Sequence, residues 1–268
     1  MPVVLIYLIL VYAGLAGFVW WYHQKQNGKP YPLKAELAVL APSLLVHLAV
    51  LLAPVVEDKV VIMGFGYSVS LIVWLMLAMY FVGSFFYNLK GLQLLLYPCT
   101  VLSLLMATVF PGKFTGYHIS DWPFMLHIGT SLLAYGLFGI VTLLAVLILL
   151  LDNNLHKKKI SSLVSFLPSL LSLEKLMFQG MWAGFLLLTY SVVSGTFFAD
   201  QIFNKPVMLT HKTIFGILSW LIYGGLLLKH GMTAWRGKKV AVWTVVGFIS
   251  LMFAYVGSKF ILEVVLQR

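Results

Sequence analysis

The stretch Trp122–Leu151 reads WPFMLHIGTSLLAYGLFGIVTLLAVLILLL and contains no Asp, Glu, Lys or Arg. A helix that crosses a bilayer needs about 20 mainly apolar residues, because the hydrocarbon layer is about 30 Å thick. This stretch is longer than that, and its apolar residues do not alternate with polar ones as they would in a half-exposed strand. It therefore predicts a membrane-spanning helix.

The rest of the chain has the same apolar character. Of its 268 residues, 61% are hydrophobic and only 10% are charged, whereas ordinary soluble domains have about 45–50% and about 25%. A soluble protein of this length could not bury so much apolar surface. The composition thus excludes a soluble enzyme. The single cysteine, Cys99, permits no intramolecular disulfide and no covalent haem attachment.

Seven further apolar runs, bounded by charged residues, Pro, Gly or Asn, bring the number of predicted spans to eight. We predict an all-α integral membrane protein with a single transmembrane domain over residues 1–268, whose first four spans lie within residues 1–110. The eight predicted spans are Val3–Tyr22, Leu37–Ala53, Val61–Phe85, Leu92–Phe110, Trp122–Leu151, Phe178–Phe198, Leu209–Leu228 and Val240–Phe260.

Basic residues predict the orientation of this bundle. When the connections are assigned to alternate sides of the membrane, one side receives 12 Lys and Arg and the other receives 6. Cytoplasmic loops are enriched in positive charge, so the first side is cytoplasmic and both termini lie outside, on the periplasmic side. The net charge of +10 then reflects topology, and we expect no nucleic-acid partner.

The cytoplasmic connection after the fifth span is longer than the others. Its apolar centre, Ile160–Leu173, has only about 14 residues and follows three lysines, so it is too short to cross the membrane. We expect residues 157–175 to form a helix that lies on the inner leaflet, where the lysines meet anionic headgroups.

Polar side chains inside membrane spans are costly, and they are therefore candidates for function. In the fifth span, His127, Ser131 and Tyr135 recur every four residues and share one helix face. In the seventh span, His211 stands at the outer end of a similar face. His47 lies deeper, near the bilayer centre.

Imidazole is a common ligand of haem iron, and His127 and His211 are predicted to lie at similar depth near the outer surface. Two alternatives remain open from the residues alone. Each histidine can hydrogen-bond to a neighbouring helix and hold the bundle together, or the polar faces can line a path for a metal ion or small solute.

Six segments follow one another in a characteristic order: DWPFMLH at 121–127, LLSLEKLMFQG at 170–180, LTYSVVSG at 188–195, HKT at 211–213, SWLIY at 219–223 and WRG at 235–237. Together they resemble the cytochrome c assembly (CcsA/CcmC-type) family of haem-handling membrane proteins, and most of all its YpjD/HemX-like branch. The resemblance covers residues 120–262, whereas the first four spans match mainly in pattern.

This resemblance implies haem binding at the outer face and a role in the maturation of c-type cytochromes, because the histidine at the position of His127 is an external haem ligand in the family. It also implies location in a bacterial inner membrane. One segment departs from the family: residues 198–210 contain no tryptophan, whereas assembly proteins carry a Trp-rich loop there. The ligand role of His211, which follows this loop, is therefore inferred from its depth and helix face alone.

We thus predict a non-enzymatic protein that binds haem b non-covalently and presents it during c-type cytochrome biogenesis. His127 and His211 would ligate the haem iron, with Ser131, Tyr135 and Trp220 nearby, while His47 would form a deeper site or a relay. The expected partners are membrane lipid, haem and a cytochrome c assembly or thiol-redox protein. The alternatives are a HemX-like regulatory or scaffold protein for a haem-synthesis enzyme or another membrane partner, and a small-solute or metal transporter.

The orientation can be tested with topology reporters. A reporter fused after Arg268 should be active on the periplasmic side, and one inserted at Lys158 should be active in the cytoplasm, because the 12-to-6 distribution of basic residues places them on opposite sides. Activity of both fusions on one side would contradict the predicted topology.

Overall fold

The computed structural model describes residues 2–25, 30–58, 60–62, 64–110, 116–118, 122–157, 162–197, 210–233 and 235–266. In these residues the chain forms α-helices joined by short connections, with two short strands and two π-helical segments. The α-helices are α1 (Pro2–Gln24), α2 (Leu33–Asp58), α3 (Phe65–Gly83), α4 (Gln93–Val109), α5 (Trp122–His156), α6 (Ser162–Phe166), α7 (Leu170–Phe197), α8 (His211–Thr233) and α9 (Lys238–Met252); the strands are β1 (Val60–Ile62) and β2 (Gly116–His118), and the π-helical segments are Phe253–Gly257 and Phe260–Val265.

Seven of the described helices are long and apolar enough to cross a membrane: α1, α2, α3, α5, α7, α8, and α9 together with its first π-helical segment. The helix α4 corresponds to the fourth predicted span, but it has 17 residues and is therefore only about 26 Å long. The predicted helical membrane bundle is confirmed. The count of eight spans and the position of the termini stay predictions.

The two strands join connections that are far apart in the sequence. β1 precedes α3 and β2 precedes α5, and they pair antiparallel with Val60 opposite His118 and Ile62 opposite Gly116. The α2–α3 and α4–α5 connections therefore meet at one end of the bundle, which we call the outer end from the predicted orientation.

Helix α5 lies at the centre of the bundle and packs against α3, α7 and α9. Helix α8 packs against α7 and α9, so α5, α7, α8 and α9 form a four-helix group with α5 and α8 at opposite corners. Across this group the rings of Phe138 and Tyr223 stack with their centroids 3.9 Å apart. The Tyr223 hydroxyl donates to the Thr244 carbonyl on α9, and this contact ties three of the four helices together.

The inner connection between α5 and α7 differs from its predicted form. We expected one helix over residues 157–175, but the described part contains the five-residue helix α6, a bend, and then the start of α7 at Leu170. The prediction of a continuous helix is wrong because Pro168 disfavours helical geometry in the residue before it. Ser169 then begins α7: its side-chain oxygen accepts a hydrogen bond from the Ser172 N–H at 3.3 Å.

The first turn of α3 is held by a residue near the end of the chain. The backbone N–H of Phe65 donates to Glu263 Oε2 at 2.8 Å, and Glu263 Oε1 accepts from Lys259 Nζ at 3.0 Å. A carboxylate at a helix N-terminus satisfies a backbone donor and interacts favourably with the helix dipole. Glu263 thus takes the place of a local N-cap side chain.

Helices α3 and α4 approach closely at Gly66. A Cβ atom added there would lie 2.4 Å from the Phe110 carbonyl oxygen and 2.7 Å from the Ala107 Cα. Both are backbone atoms, so they cannot move aside as the end of a side chain would. Gly14 on α1 offers a contrast, because a Cβ atom there would meet nothing within 4 Å.

We therefore expect Gly66→Ala to destabilise the protein by about 1–3 kcal/mol, the usual cost of overpacking. Gly14→Ala should leave stability unchanged or raise it by up to about 1 kcal/mol, since alanine is the better helix former. Thermal unfolding of both variants in detergent measures the difference. Equal midpoints for the two variants would show that α3 and α4 do not approach as described.

Candidate functional site

Two polar contacts connect α5 and α7 near the outer end of the bundle. The Nδ1 atom of His127 lies 2.8 Å from the hydroxyl oxygen of Ser194. About one turn deeper, the hydroxyls of Ser131 and Ser191 lie 2.6 Å apart. Because polar side chains are costly in the membrane interior, such pairs form where each group satisfies the other. We call these four residues the α5–α7 polar ladder.

Backbone carbonyls complete the ladder. Ser131 Oγ lies 2.6 Å from the His127 carbonyl oxygen, and Ser194 Oγ lies 3.2 Å from the Ser191 carbonyl oxygen. Serine hydroxyls inside helices commonly bond in this way to a carbonyl three or four residues earlier. The hydroxyl groups are thereby held in place, and the imidazole of His127 is oriented through Ser194.

Gly195 provides the space that the His127 ring occupies. A Cβ atom at this position would lie 3.1 Å from the Cε1 atom and 3.8 Å from the Nε2 atom of His127. The absence of a side chain on α7 therefore leaves room for the Cε1 edge of the imidazole beside the helix. The ring is partly buried, and it is positioned by the contact with Ser194 and by the space at Gly195.

Tyr135 and Trp220 lie at other contacts. Tyr135 donates to the Leu251 carbonyl at 2.8 Å, so it joins α5 to α9. Trp220 Nε1 donates to the Thr189 hydroxyl at 2.9 Å, and the Trp220 ring stacks on Phe185. Of the residues predicted to surround His127, the structure brings Ser131 to it and engages Tyr135 and Trp220 elsewhere in the four-helix group.

His211 is the first residue of α8, and its side chain is exposed. It stands at the corner of the four-helix group opposite α5. The loop before it, residues 198–209, lies outside the described residues. Shared ligation of one haem by His127 and His211 stays a prediction.

His47 is fully buried between three helices of the N-terminal half. Its Nε2 atom lies 2.9 Å from the Ser70 hydroxyl on α3, and its Nδ1 atom lies 3.5 Å from the Tyr12 hydroxyl on α1. Both ring nitrogens thus face protein groups, as expected for a histidine that connects helices. Haem ligation at His47 stays a prediction, and it would require exchange of the Ser70 contact.

A cavity of about 360 Å³ opens at the outer end of α9, away from the polar ladder. Its lining is apolar and comes from the first turn of α3, from α9 and from the π-helical segments. None of the six predicted site residues lines it. Within the described part of the chain, there is also no group of three or more His, Cys, Asp and Glu side chains that could enclose a metal ion.

The donor set at the polar ladder suits haem better than a free metal ion. A haem brings four nitrogen ligands of its own and needs one or two axial protein ligands. Ligating histidines are usually held through their second ring nitrogen by a hydrogen-bond partner, and His127 has such a partner in Ser194. The residues present therefore fit axial ligation by His127.

The sequence analysis did not identify Ser191, Ser194 and Gly195 as site residues, although they lie in one of the quoted segments. The spacing of the two serines could have identified them from the sequence. Ser191 and Ser194 are three residues apart and share a face of α7. His127 and Ser131 are four residues apart on α5, so the two pairs have nearly the same spacing along their helices. Two polar pairs of matching spacing on neighbouring antiparallel helices indicate that the helices are in contact.

Comparison with known protein families assigns this helical bundle to one of them. Residues 37–266 match the family described as Cytochrome C assembly protein. The chain belongs to this family, and the match extends well into the N-terminal half, beyond the six segments that carried the resemblance.

The chain is similar to the inner membrane protein YpjD of Escherichia coli (strain K12), with 31% identity over 172 residues, which are 64% of each chain. It is 28% identical over 141 residues to an uncharacterized 28.8 kDa protein of Azospirillum brasilense, covering 53% of this chain and 52% of that protein. It is also 28% identical over 148 residues to the cytochrome c biogenesis protein CcsA of Chlamydomonas reinhardtii, covering 54% of this chain and 39% of the relative. The alignments thus span less than two thirds of these relatives.

The contact between His127 and Ser194 can be measured by a double-mutant cycle. Hydrogen bonds between membrane helices contribute about 0.6 kcal/mol on average and up to about 1.7 kcal/mol. We expect His127→Ala and Ser194→Ala to show a coupling energy in this range in reversible unfolding experiments. Thr196→Ala is the matched control on α7, because the Thr196 hydroxyl donates to carbonyls of its own helix, and it should show no coupling with His127→Ala. Additive effects of the first pair would contradict the polar ladder.

Proposed function

We propose that the protein binds haem b non-covalently near the outer end of the four-helix group and presents it for c-type cytochrome biogenesis. The observation that carries this proposal is the imidazole of His127, which is oriented by Ser194, accommodated by Gly195, and located at the position that serves as a haem ligand in the family. Haem bound there would supply an iron centre within a flat, mainly apolar ring. No enzymatic step on this chain is part of the proposal.

The residues of the ladder have distinct tasks in this proposal. His127 would hold the haem iron, and Ser194 would fix the orientation and the proton position of the imidazole. Ser131 and Ser191 hold the two helices in register, which keeps the ligand at constant depth. His211 on the opposite helix would supply a second ligand to the haem iron. Because ligand sites can close on binding, the two side chains need not meet beforehand.

The cellular setting follows from the same proposal. The relative in Escherichia coli is named an inner membrane protein, and we place this chain in a bacterial inner membrane as well. Covalent attachment of haem to a cytochrome needs cysteine thiols on the recipient, and this chain has only Cys99. A cytochrome c assembly or thiol-redox partner therefore collects the haem at the outer side.

A second candidate is a HemX-like regulatory or scaffold role at the inner side. The observation that favours it is a group of exposed basic side chains near the inner ends of α5, α7, α8 and α9. This group comprises Lys157, Lys175, Lys229, Arg236, Lys238 and Lys239. Such a surface attracts acidic proteins and anionic headgroups alike.

The visible spectrum of the purified full-length protein separates these two roles. After expression in haem-replete cells, we expect a Soret band that is lost in His127→Ala, because the axial ligand is gone. The matched control is His156→Ala, since the His156 side chain is 78% exposed at the inner end of α5, and its spectrum should equal that of the wild type. Ser194→Ala should retain haem but change the spectrum or weaken binding about tenfold or more, as expected for loss of a group that supports a metal ligand.

A colourless wild-type protein, before and after added haem, would contradict haem presentation and favour the scaffold role. Retention of an unchanged Soret band by His127→Ala would show that haem binds through other residues, and the assignment of His127 would then be wrong.

A further inference from the structure

The apolar cavity of about 360 Å³ at the outer end of α9 takes no part in the proposed haem site. Its lining runs from Phe248 on α9 to Phe260 in the second π-helical segment, and Phe65 of α3 completes it. Twelve residue steps of helix rise at most about 18 Å, and one half of the hydrocarbon layer is about 15 Å thick. The cavity therefore follows the outer leaflet over most of its depth.

The cavity is open on the side of the bundle that faces the membrane. Three of its lining residues are largely exposed: Ile249 at 50%, Phe253 at 49% and Phe260 at 39%. Water in such a space would find no polar partners, because the lining side chains are apolar. In the membrane the cavity is therefore filled by hydrocarbon.

Two neighbouring helices hold the lining of the cavity in place. At its outer end the ring of Phe260 packs against Phe65 of α3, with the centroids 5.2 Å apart. Nearer the middle, the ring of Phe253 packs against Phe215 of α8, with the centroids 5.7 Å apart. Gly257 leaves room for this ring, since an added Cβ atom would lie 2.8 Å from Phe253 Cδ1. The cavity thus has a fixed shape between α3 and α8.

Charged side chains stand at the outer end of the cavity. Lys259 precedes Phe260, and its ammonium lies 3.0 Å from Glu263 Oε1. The other oxygen of Glu263 accepts from the backbone N–H of Phe65. Both oxygens of this carboxylate are therefore engaged within the protein.

Lys212 brings a second ammonium group to the same place. It lies one turn before Phe215 on α8, and its Nζ atom is 5.9 Å from the centroid of the Tyr255 ring. It is close enough to Lys259 for the two charges to interact. Among the described residues Lys212 forms no ion pair. Two lysines and one glutamate thus leave one positive charge in excess at the outer end of the cavity.

The combination of an apolar cavity and an excess positive charge matches an anionic amphiphile. A lipid phosphate lies at the membrane surface, where a lysine attracts it, while its acyl chain extends through one leaflet. A neutral headgroup would gain much less from Lys212. Charge complementarity therefore favours an anionic phospholipid over a neutral membrane component.

We propose that the cavity binds one acyl chain of an anionic phospholipid of the outer leaflet, whose phosphate contacts Lys212. The site is separate from His127 and does not depend on haem binding. The bound chain fills the space between α3, α8 and α9. It thereby supports the packing of the π-helical segments against the first turn of α3.

The test is photo-crosslinking of the full-length protein in lipid nanodiscs, with the labelled peptides identified by mass spectrometry. The two probes are phosphatidylglycerol and phosphatidylcholine that carry the same diazirine-containing acyl chain. We expect residues 248–260 to be labelled about three- to fivefold more by phosphatidylglycerol, which is the effect of one lysine near the membrane surface. Lys212→Gln should abolish this preference and Lys212→Arg should retain it. Lys175→Gln is the control, because Lys175 is an exposed lysine at the inner end of the bundle.

Ile249→Trp tests the cavity itself. The larger side chain should occupy the space and reduce labelling of residues 248–260 by both lipids. Val242→Trp is the matched control, because Val242 is 41% exposed on α9 and lies outside the lining, and it should leave labelling unchanged. If Ile249→Trp fails to fold, the exposed position of Lys212 keeps the headgroup test available.

Three results would overturn the proposal. The first is equal labelling of residues 248–260 by the two lipids in the wild type, and the second is an undiminished preference for phosphatidylglycerol in Lys212→Gln. The third is protection of these residues by a neutral isoprenoid quinone that exceeds protection by unlabelled phosphatidylglycerol, since the occupant would then be neutral.

Discussion

Lipid offers no hydrogen bonds, and every polar group inside a membrane bundle must therefore find its partner within the protein. This constraint accounts for several of the contacts that join neighbouring helices. His47 meets Ser70, His127 meets Ser194, and Tyr135 reaches a carbonyl of α9. Each contact joins a different pair of helices. The polar residues thus determine which helix faces pack together. Apolar side chains do not select a face in the same way, because they interact equally well with lipid.

The predictable part of the fold is the part that depends on length and composition. The run Trp122–Leu151 lies within α5, and the other apolar runs correspond to helices as well, because about 20 apolar residues have few alternatives in a membrane. Helix ends were harder to place. Helix α7 begins eight residues before the predicted Phe178, since Ser169 and not the edge of the apolar run sets its start.

The candidate site was only partly predictable, for a geometric reason. Helical spacing shows that His127, Ser131 and Tyr135 share a face, but it does not show which neighbour that face meets at each depth. In the structure the first two meet α7 and the third meets α9, because α5 is packed on several sides. Residues on one helix face can thus contact two different neighbouring helices. In the same way, Trp220 on α8 forms its hydrogen bond with Thr189 on α7.

The contact between Glu263 and the first turn of α3 has a consequence for how the protein is made. Ribosomes deliver the chain from its N-terminus, and α3 enters the membrane long before Glu263 exists. The backbone N–H of Phe65 obtains its carboxylate partner only after 198 further residues have been synthesised. The outer end of the N-terminal half therefore acquires its final form late, when the segment around Glu263 packs against it. A late part of the sequence thus completes the structure of an early helix.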